Sequence, residues 1–508
     1  MSRAVLLLTA ALACALSGCG MDSISAGPDQ ASGRGTLLYD PPARLASLNA
    51  ATFTASLDAS SSGAQLLQVA GTPACGVDFY YIQYNTVGGK GEPATASGAL
   101  MVPTGSGAQC SGPRPIVLYA HGTNPSRTLN LANISDPSNT EGALIAAMFA
   151  AQGYIVVAPN YVGYDSSNLT YHPYLNAQQQ SRDMIDALTA ARTALPHTMT
   201  RTTTDGGKLF ITGYSEGGYV AMATHSAMQA AGMTVTASAP MSGPYALEAL
   251  GDAVFFGDVI VGATVFTPLV VTSYQEAYGN IYQHLTDVYE SNYASTAGDL
   301  LPNATPLATL FADNLLPQSA LFSSTTPVTG NATLDAELAV PANPVFASGF
   351  GTNNLVTNDF RLAYVLDAVA HPDGAVPPPT SPTASVAPAA DPQNTLRIAF
   401  KTNDLRNWTP ASPLLMCGGD ADPTVLFSVD TLVMQQYWAA LPPGLVTVVD
   451  INAPVTGAGD PFAAAKVGYQ QTIAGIAASG GAAAAVQATH ATEAPFCTAV
   501  ARGFFAQF

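Results

Sequence analysis

Lys208-Leu-Phe-Ile-Thr-Gly213-Tyr214-Ser215-Glu216-Gly217-Gly218 is an apolar run that ends in Gly-x-Ser-x-Gly and passes straight into residues of helical character. A serine hydroxyl can serve as a nucleophile when a sharp strand-to-helix turn displays it. The residues two positions to either side must then lack a side chain, because a Cβ there would collide with neighbouring backbone. Gly213 and Gly217 meet that need, and Ser215 is the candidate nucleophile. The helix start beyond it offers free N–H groups and the positive end of a helix dipole. In a chain with 45 Gly the pattern alone is weak. Its placement between an apolar strand and a helix is what gives it weight.

Working outward, the same rhythm surrounds this segment. Short apolar runs at 115–120, 154–158, 209–214 and 234–239 predict strands. Helical patterns at 141–152, 177–195 and 217–231 fall between them. Strands alternating with helices predict an α/β fold, a mostly parallel sheet flanked by helices. Upstream, alternation over 75–103 around Gly88-Gly89-Lys90-Gly91 predicts an antiparallel hairpin. The rhythm stops near 245 and resumes with a strand at 414–416, a helix near 426–440, a strand at 446–451 and a last helix at 494–507. The core is therefore read as 41–245 and 406–508, interrupted by a largely helical cap or lid insertion over 246–405. Within the insertion, 371–392 is Pro-rich and predicts an extended loop. The apolar stretch 254–271 contains Gly257, Asp258, Gly262 and Pro268, which argues for a buried or substrate-facing cap helix rather than a membrane span.

A nucleophilic serine needs a base and an acid that orients it, in the chain order Ser, Asp or Glu, His. Of seven His, His121, His172 and His197 precede Ser215. His225 lies on the helix leaving it, and His284 and His371 lie in the insertion. His490 follows the last predicted strand, in a segment read as a loop, and is the candidate base. The strand at 414–416 runs into Cys417-Gly-Gly-Asp420-Ala-Asp422-Pro423. Asp422, beyond the tight turn, is the candidate acid, with Asp420 as the alternative. Two backbone donors should hold the oxyanion: the N–H of Glu216 and that of Thr123, with Gly122 letting the loop come close. The Glu216 side chain is read as supporting rather than basic. Tyr161, Tyr164 and Asp165 are read as equally suited to lining the site or to packing the loop. The chemistry needs no cofactor, and no Cys/His spacing implies a metal.

Composition sets the compartment. The formal net charge is −18, with 10% charged and 48% hydrophobic residues. That supplies a core and excludes wholesale disorder and nucleic-acid partners. Arg3 followed by an apolar run to Leu16 and then Ser17-Gly18-Cys19 resembles a bacterial lipoprotein signal. Residues 1–18 would be removed, Cys19 lipidated and 19–40 left as a tether to a membrane surface. Gly20 suggests the outer membrane; a periplasmic or secreted protein is the alternative. Four Cys remain, and the pairs Cys75–Cys110 and Cys417–Cys497 are expected.

The stretches 118–123, 158–164, 172–175, 213–218 and 419–423 resemble the α/β-hydrolase superfamily, and within it the secretory lipase and lipase-like esterase family. The resemblance covers about 110–245 and 405–500. It implies hydrolysis of a small-molecule or lipid ester through an acyl-enzyme, with a helical cap between core strands. The charged Glu216 departs from the uncharged residue often found there. A serine peptidase on the same fold and a catalytically silent binding lipoprotein are the competing readings.

Overall fold

The computed structural model describes residues 33–376 and 384–508. The expected signal segment and Cys19 lie outside the described residues, as does part of the Pro-rich stretch. Nine strands form one sheet. They are β1 (Ala43–Leu48), β2 (Gly76–Val87), β3 (Pro93–Thr104), β4 (Gly112–Ala120), β5 (Ile155–Pro159), β6 (Thr203–Tyr214), β7 (Ala237–Met241), β8 (Leu414–Gly418) and β9 (Val446–Asp450). Their order is β1-β2-β3-β5-β4-β6-β7-β8-β9. From β5 to β9 every pairing is parallel. These central strands are the continuous apolar runs of the sequence, because helices cover both faces of a parallel sheet. Leu118 of β4 stands beside Val157 on one side and Ile211 on the other, and all three are buried.

The antiparallel arm is longer than the hairpin expected from sequence. β1 adds an edge strand to β2, and two helices, α1 (Ala50–Asp58) and α2 (Ser61–Ala70), follow it. The expected tether is also shorter at its end. Gly35 and Leu38 donate to the carbonyls of Asn85 and Gln83 on β2, and Arg34 pairs with Asp186. The backbone of 35–38 thus satisfies itself on the sheet edge instead of in solvent. Cys75–Cys110 ties the base of the arm to the start of β4.

Helices α3 (Thr140–Met148), α4 (Ala177–Ala194) and α5 (Glu216–Ala230) follow their strands. α4 and α5 pack together on the sheet. A C-terminal pair, α10 (Ala463–Gly480) and α11 (Ala482–Phe505), forms an antiparallel hairpin. α11 lies across β6, β7 and β8 and touches α2 and α3. The last helix therefore starts a dozen residues before its expected position and contains His490, which the sequence placed in a loop. Pro495 lies inside α11. It forfeits one backbone bond, and packing on three strands carries the helix through it.

Between β7 and β8 the principal helices are α6 (Leu247–Phe256), α7 (Ala263–Tyr278), α8 (Asn358–Ala370) and α9 (Thr395–Asn403). The 254–271 stretch is thus two helices broken at Gly257 and Gly262, both at positive φ. No described helix is long and apolar enough to cross a membrane. Buried arginines fasten this segment. Arg397 bonds Asp252 on α6 through Nε and Nη2, at 2.9 and 2.8 Å, and Asp367 on α8 through Nη1, at 2.9 Å. Arg406 pairs with Asp373 and Asp404.

Candidate active site

The elbow is built by exclusion. A Cβ on Gly213 would sit 2.3 Å from the Gly217 carbonyl oxygen, and one on Gly217 only 2.0 Å from that of Ala120. Gly218 is equally constrained, 2.2 Å from the Met241 oxygen, a requirement the sequence reading did not single out. Ser215 between them adopts φ 60°, ψ −125°, a conformation costly for a residue with a Cβ. It sits at the C-terminal edge of β6, immediately before α5.

Three side chains distant in sequence meet here. His490 Nε2 lies 2.8 Å from Ser215 Oγ, and His490 Nδ1 lies 2.6 Å from Asp422 Oδ2. Asp422 is buried and also accepts from the Thr424 and Val425 amides, which fixes its carboxylate. With Nδ1 donating to Asp422, Nε2 is free to accept from the serine hydroxyl. The His490 side chain keeps 16% exposure, so a reacting group can approach. Asp420, the alternative acid, turns to the β9 side and accepts from Asn452 Nδ2. The second disulfide, Cys417–Cys497, joins the strand that carries the Asp422 turn to the helix that carries His490.

The backbone donors around the elbow are mostly engaged. The N–H of Gly122 is taken by Glu141 Oε1 at 3.0 Å and that of Ser215 by the Met241 carbonyl at 3.0 Å. Among the described residues, the amides of Thr123 and Glu216 have no protein acceptor. A Cβ on Gly122 would come within 3.2 Å of the Tyr214 oxygen, so glycine there lets the Thr123 loop lie against the elbow.

Side chains behind the elbow hold this frame, the Glu216 side chain in the supporting role read from the sequence. Glu216 is buried, and its Oε1 meets His172 Nε2 at 2.7 Å and Gln180 Nε2 at 2.6 Å. His172 Nδ1 faces the Val162 carbonyl at 2.8 Å, so it must carry a proton. Tyr161 and Tyr164 do not line the site. Both are buried behind the loop, donating to the carbonyls of His121 and Asn124. Asp165 turns to Ser97 and Tyr81. Glu493, one helical turn beyond His490, accepts from Ser242 at 3.0 Å. Burial, reinforced by the charge of Asp422, holds its carboxyl well above the usual carboxylate range. Its position was hidden in a segment read as half loop.

A groove of about 2230 Å³ opens on Ser215, His490, Gly122 and Thr123. No described residue of 246–405 lines it, so of the two readings of 254–271, buried or substrate-facing, the structure agrees with the buried one. Most of the apolar side chains of 254–271 are instead spent in the interior packing of α6 and α7.

The Prolyl oligopeptidase family matches residues 142–242, the part that holds β5, β6 and α5. The chain is similar over most of its length to the rice cell wall degrading esterase LipA of Xanthomonas oryzae. Identity is 26%, covering 88% of this chain and 98% of that one, with a TM-score of 0.62. A point mutant of that esterase superposes with a TM-score of 0.63 at the same identity and coverage. A Legionella pneumophila protein classed as a hydrolase shares the fold at 19% identity, covering 93% and 97% of the two chains, with a TM-score of 0.62. No curated protein sequence matches the chain. The two disulfides fit an oxidising compartment, and so an exported chain.

Proposed function

We propose that this chain, which is similar over most of its length to an esterase and matches the Prolyl oligopeptidase family over residues 142–242, is a serine carboxylic-ester hydrolase of the α/β-hydrolase fold. The observation that carries the proposal is the unbroken line from Ser215 Oγ through His490 to Asp422, at 2.8 and 2.6 Å. In this mechanism His490 Nε2 takes the hydroxyl proton as Ser215 Oγ attacks the ester carbonyl. The Thr123 and Glu216 amides receive the charge that develops on the carbonyl oxygen. The imidazolium, held by Asp422, gives its proton to the leaving alcohol. Water then repeats the steps, releasing the acid and restoring the hydroxyl. Ser215→Ala and His490→Ala should each lower kcat for p-nitrophenyl butyrate by roughly 10⁴-fold or more. Turnover within tenfold of the parent in either variant contradicts the proposal.

The match to the Prolyl oligopeptidase family favours a second reading, a serine peptidase. That match lies wholly in the nucleophile-bearing part, which either reaction would need. The carboxylates Asp252 and Asp367 of the insertion are engaged by Arg397 and offer no ready anchor for a peptide amino group. Ester and anilide of one acyl group, compared side by side, separate the two: faster anilide turnover supports the peptidase. We assign 246–405 as the insertion in a core of 41–245 and 406–508. We further assign Cys19 as the lipidated residue after loss of 1–18, which would hold the enzyme at a membrane surface, with the outer membrane as its place.

A further inference from the structure

Glu493 takes no part in the acyl transfer, yet it stands behind the base. It follows His490 by three residues on α11, so the two share a helix face. Its side chain is fully buried. Oε2 meets Ser242 Oγ at 3.0 Å and the Tyr214 hydroxyl at 3.4 Å. That hydroxyl donates to the His490 carbonyl and lies 3.3 Å from His490 Nδ1. Tyr214, the residue before the nucleophile, therefore bridges Glu493 and the base.

The glycine pair that opens the Asp422 turn is explained by this carboxyl. A Cβ on Gly419 would lie 2.2 Å from Glu493 Oε1, and one on Gly418 would lie 2.9 Å from Ser242 Oγ. Neither glycine has a positive φ, so backbone conformation does not call for them. A larger residue at either place would push Glu493 or its partner aside. Proton counting says what the carboxyl is. The one hydrogen of the Tyr214 hydroxyl goes to the His490 carbonyl, so the contact between Tyr214 and Glu493 is lone pair against lone pair unless Glu493 brings a hydrogen. The groups that act on it most are Asp422 and Asp450, both acids, with Ser242 and Tyr214, and none is a cation. Tyr469 faces it from α10. Burial first, then the charge of Asp422, disfavours a second carboxylate here. Asp422, with two amides and His490 Nδ1 directed at it, is the better place for the negative charge.

We propose that Glu493 is a positioning residue for His490: as an uncharged carboxyl it holds the Tyr214 hydroxyl, and through it the turn of α11 that carries the base, while leaving to Asp422 the negative charge that faces the imidazole. The inference rests on the esterase reading and deepens it. A base displaced by a fraction of an ångström from Ser215 Oγ loses rate without losing substrate affinity, so the effect belongs in kcat.

The test is the pH profile of kcat and kcat/KM for p-nitrophenyl butyrate, from pH 5 to 9, with the full chain. The acid limb of kcat/KM reports protonation of His490 in the free enzyme. Glu493→Ala should lower kcat by about tenfold or more with KM little changed. Glu493→Gln copies the shape and neutrality of a protonated carboxyl and should restore kcat to within about threefold of the parent, with the acid limb where the parent has it. Tyr214→Phe cuts the same link without opening the core, and should also cost about tenfold in kcat. It decides the matter if Glu493→Ala does not fold. An acid limb displaced to lower pH by about 1 or more in Glu493→Gln would mean that a negative charge had been removed from beside His490, and would overturn the inference. So would a Gln variant as slow as the Ala variant, or parental kcat in Tyr214→Phe. Absence of turnover by the parent on every ester would overturn the esterase reading itself.

Discussion

At Ser215 the chain gives up conformational comfort to present one oxygen. Its φ of 60° persists because Gly213, Gly217 and Gly218 remove every Cβ that would push the turn open. This part of the site is legible in sequence, since only glycine fits and glycine is visible. Asp422 and His490 followed from chain order and the Gly-rich turn. The supports behind them were not legible. Glu141 reaches Gly122, and His172 reaches Glu216, through contacts 19 and 44 residues apart that no local pattern announces. The tie between His172 and Glu216 leads to a prediction. Glu216→Ala should loosen the amide that receives the oxyanion and lower kcat by about tenfold or more, with KM little changed, because the loss falls on the transition state. Glu216→Gln, which keeps an acceptor for Gln180, should recover part of it. Equal losses in kcat and in thermal stability for both variants, with KM rising, would mean the side chain only fills space.

At the scale of elements, the central strands were read correctly because burial on both faces leaves them continuously apolar. The failures have physical causes too. α11 runs on through Pro495 because it packs on β6, β7 and β8, a long-range support that local sequence does not display. β1 is an edge strand with mostly exposed side chains and so lacks a strong alternation. Buried ions fasten the insertion's helices in addition to their apolar packing. Glu248 on α6 sits in that network with Asp252, Asp373 and Arg397, and burial pushes its carboxyl up to about 8, against 4.5 when unfolded. The folded state therefore binds the extra proton between those values, and stability should fall as pH rises from about 4.5 through about 8. Urea unfolding of the parent and Glu248→Gln across pH 5 to 9 checks this. The stability difference between the two proteins should shift in favour of the Gln variant as pH rises. A difference that does not vary with pH would show that Glu248 is ionised alike in both states.

For the whole molecule, two disulfides and an acidic, charge-poor surface suit life outside the cytoplasm. The Cys417–Cys497 bridge closes a loop of 80 residues, a constraint worth roughly 4–5 kcal/mol in the chain-entropy picture. It does so between the two elements whose spacing sets the Asp422–His490 contact. If Cys19 carries lipid, the parent should fractionate with membranes and Cys19→Ala should move to the soluble fraction with its ester turnover intact. A parent found wholly in the soluble fraction would remove the anchor from the account without touching the chemistry.

The central claim is that Ser215 is made reactive by His490 and Asp422. Its most direct measurement is covalent labelling with a fluorophosphonate at neutral pH, followed by mass mapping of the adduct. The account predicts one adduct on the peptide that holds Ser215, formed slowly or not at all in His490→Ala and absent in Ser215→Ala. An adduct on another residue, or an unlabelled protein that still hydrolyses esters, would contradict it.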